Sequence, residues 1–317
     1  MFNKLKRVIV RYPEIPITLA LMLTVVVVYH VRNRGKLMEG NLLEKVESPY
    51  SSISVYQTKD GLRHMVFGYR HMRYFESVDN PKDPNDLEIG YTRLLTVSLL
   101  YSNSDPASIL SIGMGGGKVS SYLLGAMPQA RVTEVELDPD VVMLAKKYFD
   151  YQDLPHRTVV VDDGRKFLMH SQTMYDLIVL DAYRGPFVPF HLLTEQFYGE
   201  VKKHLNPGGI VAVNIDSVTA LSNSTLATLQ QVFQHTECYH VDGNTVTIAY
   251  DGPAKTSDEL SRRARQLDDQ YHFRYPLTAM LEGRTVPPAQ TGVAPLTDDF
   301  APVDSLNAID AHNAKLK

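Results

Sequence analysis

The chain has 317 residues, 44% of them hydrophobic and 21% charged, with a formal net charge of −4. Such proportions exclude a disordered, collagen-like or coiled-coil chain for the bulk of the sequence, and the length suits one large domain or two small ones. The charge leaves no global basic surface, so no nucleic-acid partner is expected. The single cysteine, Cys238, permits neither an internal disulfide nor a cysteine-based zinc site, and no metal is expected.

Residues 1–36 read as a membrane anchor. Residues 15–31 (IPITLALMLTVVVVYHV) are almost wholly apolar. Seventeen helical residues rise about 25 Å, at the short edge of a bilayer span. Lys4, Lys6, Arg7 and Arg11 precede the segment, and Arg32, Arg34 and Lys36 follow it. Tyr29-His30-Val31-Arg32 lacks the small residues of a signal-peptidase site. A cleaved signal peptide and a packed interfacial helix are the alternatives. The resulting expectation is a single-pass membrane protein with its folded domain on the cytoplasmic side. That side is chosen because the cofactor that suits the acidic strand ends of the folded domain is a cytosolic metabolite.

Residues 37–86 form a small β region. Residues 37–47 read as a polar connector. Ser52–Tyr56 and Leu62–Gly68 alternate like strands, and Asp60-Gly61 is a hairpin signal between them. From Leu87 to residue 251, helix and strand patterns alternate. Helices are expected over Leu87–Tyr101, Val119–Met127, Pro139–Phe149, Gly164–His170, His191–Leu205 and Ser224–Gln234. Strands are expected over Ser108–Ile112, Arg131–Leu137, Thr158–Val161, Tyr175–Leu180 and Ile210–Ile215. Cys238–Val241 and Thr245–Tyr250 flank Asp242-Gly243-Asn244 as an antiparallel hairpin. The fold class is α/β, a Rossmann-like doubly wound sheet with an antiparallel edge. Residues 252–317 read as a polar covering tail.

One strand runs into Gly113-Met114-Gly115-Gly116-Gly117. Glycines at a strand-to-helix turn let the backbone approach a ligand, with helix N–H groups facing it. The next strand ends in Glu136 and Asp138, where an acid can accept both ribose hydroxyls. The third ends in Asp162-Asp163-Gly164, and the fourth in Asp181. Acids at successive parallel strand ends converge on one crevice. Asp138 and Asp163 also suit a plain helix-capping role. An adenosine-bearing cofactor without phosphates fits the acids better than NAD does.

The block Ile112-Gly113-Met114-Gly115-Gly116-Gly117, Val135-Glu136-Leu137-Asp138, Val161-Asp162-Asp163-Gly164, Tyr175 to Asp181, Phe197-Tyr198 and Leu205 to Gly209 resembles the spermidine synthase (polyamine aminopropyltransferase) family. The resemblance runs from about Pro49 to Tyr250. It implies a methyltransferase-type Rossmann-like fold preceded by a small β domain. It further implies decarboxylated S-adenosylmethionine as donor and a polyamine as acceptor. By position, Glu136 would hold the ribose, Asp163 the adenine, and Asp181 would take the proton of the attacking amine. Gly113, Gly115, Gly117, Asp162 and Gly164 complete the cofactor set.

Three positions depart from that pattern. The glycine-loop aspartate that pairs with the donor's aminopropyl ammonium is here Gly116. The Tyr-His-Glu stretch is Tyr91-Thr92-Arg93, and the second acid of the Asp-x-x-Asp gate is Arg184. Arg93 and Arg184 would repel a cationic acceptor. The acceptor site is therefore expected to hold Tyr91, Arg93, Tyr183 and Arg184 and to take a small molecule other than a polyamine. Two rivals stand. One is a methyltransferase using intact S-adenosylmethionine, with Arg93 and Lys118 meeting its carboxylate. The other is a catalytically silent cofactor-binding or scaffolding subunit of a membrane complex. Beyond the acceptor and the membrane, a second copy of the chain or a membrane protein is the expected partner.

Overall fold

Alternating apolar residues drive the N-terminal part of the folded chain into strands. A computed structural model of the chain describes residues 40–69, 72–185, 187–217, 219 and 221–299. β1 (Gly40–Glu47), β2 (Ser52–Thr58), β3 (Arg63–Tyr69) and β4 (Met72–Asp79) form a sheet in that order. In the β2–β3 hairpin, Ile53 lies opposite Phe67 and Val55 opposite Met65. Ile53, Val55 and Met65 are fully buried against Val141, Leu144 and Phe149. Of these four strands, alternation in the sequence predicts β2 and β3 alone. β1 stands where a polar connector is expected; Leu43 and Val46 pack against the small-sheet core, and Lys45 and Glu47 stay exposed on an edge strand.

The second sheet has seven strands. They are β5 (Ser108–Ile112), β6 (Arg131–Glu136), β7 (Arg157–Val161), β8 (Tyr175–Leu180), β9 (Leu205–Asp216), β10 (His235–Val241) and β11 (Asn244–Tyr250), in the order β10-β11-β9-β8-β5-β6-β7. β5 to β9 are parallel, and β11 and β10 add antiparallel at one edge. This is the α/β sheet with an antiparallel edge that the alternation predicts, in the mixed form that the family resemblance implies. The order reverses between β5 and β8, which opens a crevice at their carboxyl ends.

Both faces of the sheet are buried, with period-two alternation. Ile109, Leu177, Val179, Ile210 and Ala212 point to one face. Leu110, Ile112, Ile178, Leu180, Val211 and Val213 point to the other. The crossover helices are α2 (Lys118–Ala126), α3 (Pro139–Tyr148), α4 (Gly164–His170), α5 (Glu195–Lys203) and α6 (Ser222–Val232). Ahead of them lies α1 (Gly90–Leu95). The predicted helix Leu87–Tyr101 is shorter than expected and passes into a 3-10 turn over Thr96–Leu100. The Thr96 and Ser98 hydroxyls bond back to the carbonyls of Arg93 and Leu95 at 2.6 Å each. Such back-bonding competes with regular helix.

The C-terminal segment is more than a polar cover. α7 (Ser257–Tyr271) and α8 (Leu277–Leu281) follow the last strand. α7 opens on a Thr256–Glu259 capping box. Its Leu260, Ala264 and Leu267, one helical stripe, join the core on the first face of the sheet. Charges on the outer faces conceal that stripe in the sequence.

The expected span, residues 15–31 of the 1–36 anchor, lies outside the described residues. Among the described residues no helix is long and apolar enough to cross a membrane. The longest of them, α7, has 15 residues and a largely charged surface. The single-pass membrane placement is corrected on this finding.

Candidate active site

The described residues within 42–57 and 61–299 belong to one compact unit. Within it, the carboxyl ends of β5, β6, β7 and β8 border a cleft of about 100 Å³. β5 delivers the glycine loop. Gly113 has φ +88°, and a Cβ there would stand 2.3 Å from the Asp181 carbonyl oxygen. Glycine is thus required where β5 and β8 converge. Gly113→Ala is expected to destabilise the fold by about 2–4 kcal/mol in denaturant titration. A change within about 0.5 kcal/mol would mean that the strand ends can part freely.

The loop is held from beneath and from the side. Buried Arg157 donates to the Gly117 carbonyl at 3.1 Å and pairs with buried Glu134 at 2.8 Å. Ser77 on β4 accepts the Gly116 N–H at 2.8 Å. Asp79, two residues further along β4, pairs with Lys118 at 2.6 Å with both groups buried.

Glu136 ends β6 and turns back onto the loop. Its carboxylate accepts the N–H of Met114 at 3.1 Å and of Asp138 at 3.0 Å. Burial raises its pKa, against the pull of these backbone donors. Asp138 caps α3 through the Asp140 N–H and accepts the Ser48 hydroxyl. Asp163 caps α4 and meets His191 Nε2 at 2.7 Å, and Asp162 pairs with Lys166 at 2.9 Å.

Asp181 closes the inner end. Burial pushes its carboxyl up to about 6, while bonds from Asn214 and Tyr91 oppose the shift. The Asn214 amide donates at 2.9 Å. Tyr91, from α1, gives its hydroxyl to the same carboxylate, and burial raises its own pKa further. Tyr183 is fixed by donating to the Asn214 carbonyl at 3.0 Å and accepting the Asp216 N–H at 2.8 Å.

Gly113, Gly115, Glu136, Asp162, Asp163, Gly164, Asp181, Tyr91, Tyr183 and Arg184 all border the cleft. Two predicted residues do not. Gly117 is set back as the N-cap of α2. Arg93 is turned away, its Nε on the Leu87 carbonyl at 2.5 Å and its guanidinium 4.4 Å over the Tyr275 ring. Tyr275 belongs to the segment expected to be a tail, and nothing in the spacing of residues links it to Arg93. Arg184 is exposed at the rim and donates to the Tyr50 carbonyl at 2.9 Å.

Glu76 of β4 is the residue that sequence reasoning misses. It borders the cleft with Asp181 and Glu136. Its Oε1 is out of solvent and has no hydrogen-bond partner among the described residues. Burial pushes its pKa well above the usual range, and the charges of Asp181 and Glu136 add to the shift. The Gly185 N–H opposes it by donating to the carboxylate. The available signal is an acid inside an apolar-aromatic run, in a stretch whose strand character the sequence reading does not include.

The fold is an α/β fold of the methyltransferase-like type, with a cleft rich in carboxylates at its strand ends. The spermine/spermidine synthase domain matches residues 88–249, and the chain belongs to that family. It is accordingly a transferase of the spermidine-synthase-like class. A polyamine aminopropyltransferase of Vibrio vulnificus is 28% identical over 84% of this chain and 92% of its own length. A spermidine synthase solved with the transition-state analogue AdoDATO superposes with a TM-score of 0.64 at 20% identity, over 78% of this chain and 86% of that one. Human methyltransferase-like protein 13, solved with SAH, gives 0.54 at 21% identity, over 58% of this chain and 93% of that one. Both superpositions speak to the fold.

Proposed function

We propose that the protein transfers an aminopropyl group from decarboxylated S-adenosylmethionine to an amine acceptor. The supporting observation is the charge of the cleft wall. Glu76, Glu136, Asp138, Asp162, Asp163 and Asp181 border it. The bordering cations are spent elsewhere. Lys118 is held by Asp79 and by the Pro84 carbonyl, and Arg184 by the Tyr50 carbonyl at the rim. A donor that kept its carboxylate would find no unengaged cation among these residues, which disfavours intact S-adenosylmethionine. The expectation of a neutral or anionic acceptor rests on Arg93 and Arg184. With Arg93 on Tyr275, the balance favours a cationic amine.

Glu136 and the glycine loop would hold the ribose, and Asp162 and Asp163 the adenine side. The donor supplies a sulfonium whose adjacent methylene carbon accepts the amine, with C–N formation, C–S cleavage and departure of the neutral methylthioadenosine. Asp181 receives the proton that the new C–N bond displaces, with Tyr91 and Asn214 fixing its carboxylate. Holding both reactants in line contributes most of the remaining acceleration.

The full chain should form methylthioadenosine and spermidine when given decarboxylated donor and putrescine. Release of S-adenosylhomocysteine from the intact donor instead would move the protein to the methyltransferases. Silence with every amine tried would leave the scaffolding alternative in its place.

A further inference from the structure

We propose that Glu76 holds the primary ammonium of the donor's aminopropyl arm, taking the place of an acid that the glycine loop lacks. The inference rests on the aminopropyl-transfer reading and assigns a specificity-determining residue within it.

An acid cannot be accommodated at position 116. A Cβ on Gly116 would stand 2.7 Å from the Phe149 ring and 3.1 Å from Ser77 Oγ. Phe149 is 1% exposed and locked in the small-sheet core, so it cannot give way cheaply. The same packing brings β4 onto the loop. The Gly116–Ser77 and Lys118–Asp79 bonds stitch the strand to the start of α2. Glu76, adjacent to Ser77, is thereby fixed on the cleft wall.

Its neighbours decide what it meets. Glu76 shares the cleft wall with Glu136, proposed for the ribose, and with Asp181, proposed for the attacking amine. Both charges are close enough to act on Glu76. What lies between nucleoside and nucleophile is the three-carbon arm. Among the described residues Oε1 is an acceptor with no donor. Leaving such an oxygen buried costs free energy that a bound ammonium would recover. The Gly185 N–H also acts on this carboxylate, so Glu76 relates the bound arm to the loop after Asp181.

Glu76→Gln removes the group that can ionise against the bound ammonium and keeps an acceptor for Gly185. Calorimetry with the full chain would compare decarboxylated S-adenosylmethionine with methylthioadenosine, which has no ammonium arm. The substitution should weaken the former about tenfold or more and change the latter less than about twofold. Retained methylthioadenosine binding also certifies the fold. Equal weakening of both ligands would overturn the proposal in favour of a purely structural bond to Gly185. Unchanged donor binding with a raised KM for putrescine would overturn it in favour of an acceptor role. A wild-type chain that does not bind the decarboxylated donor fails the parent reading and this one with it. Wild-type binding with an indifferent variant fails Glu76 alone.

Discussion

Asp181→Asn is expected to lower turnover by about 10²–10⁴-fold while leaving methylthioadenosine affinity nearly unchanged. Asparagine keeps the shape and can still meet Tyr91 and Asn214, but it cannot take a proton. The wild-type enzyme should show an acid limb in kcat/KM near pH 6, set by the burial that lifts this carboxyl to about 6. Activity falls below that pH because the base becomes protonated. Facing it are Tyr91, Tyr183, Asn214 and Glu76. The acceptor's own ammonium imposes a second, higher limb. A variant that retained the limb near pH 6 would show that another group takes the proton.

The same shift has a stability consequence of definite sign. The folded state holds the Asp181 proton more tightly than the unfolded chain does. Between the ordinary value of 3.8 and about 6, the folded state therefore carries the extra proton. Stability contributed by this group falls as pH rises through that window and stays lost above it. Asp181→Asn should accordingly raise Tm of the ligand-free protein at pH 7.5, by about 3 °C or more. An unaltered or lowered Tm would mean that the asparagine loses as much bonding as the charge relief returns.

Legibility in the sequence follows periodicity. Strands buried on both faces, such as Tyr175–Leu180, are continuous apolar runs and are found at once. β9 misleads because Asn206-Pro207-Gly208-Gly209 has the composition of a stop, yet Leu205–Asp216 is one strand with a register shift opposite Tyr175–Leu177. The acids at strand ends are legible because β–α punctuation fixes where each must lie. Side-chain direction is not. Arg93 and Arg184 carry the same charge in the sequence, but one stacks on Tyr275, contributed from far along the chain, and the other stays at the rim. Glu76 escapes notice for the converse reason. Its meaning comes from Phe149, Ser77 and Gly185, none of which is spaced to reveal it.

Glu136→Gln should weaken methylthioadenosine binding about a hundredfold. Two charge-assisted bonds to ribose hydroxyls, at about 1.5–3 kcal/mol each, already account for tenfold to hundredfold on partial loss. The structure adds a second cost. Both carboxylate oxygens accept backbone N–H groups, one from Met114 and one from Asp138. Glutamine offers one acceptor oxygen, so its amide must turn two hydrogens toward a backbone donor. That unhooks either the glycine loop or the start of α3. Affinity should therefore fall together with thermal stability, and the loop amides of Gly113 to Gly117 should lose hydrogen-exchange protection in the ligand-free protein. Asp162→Asn is the contrast, because that carboxylate faces solvent and leans on Lys166; it should cost binding alone. Unchanged affinity in Glu136→Gln, with the loop still protected, would mean that the nucleoside does not lie at the end of β6 at all.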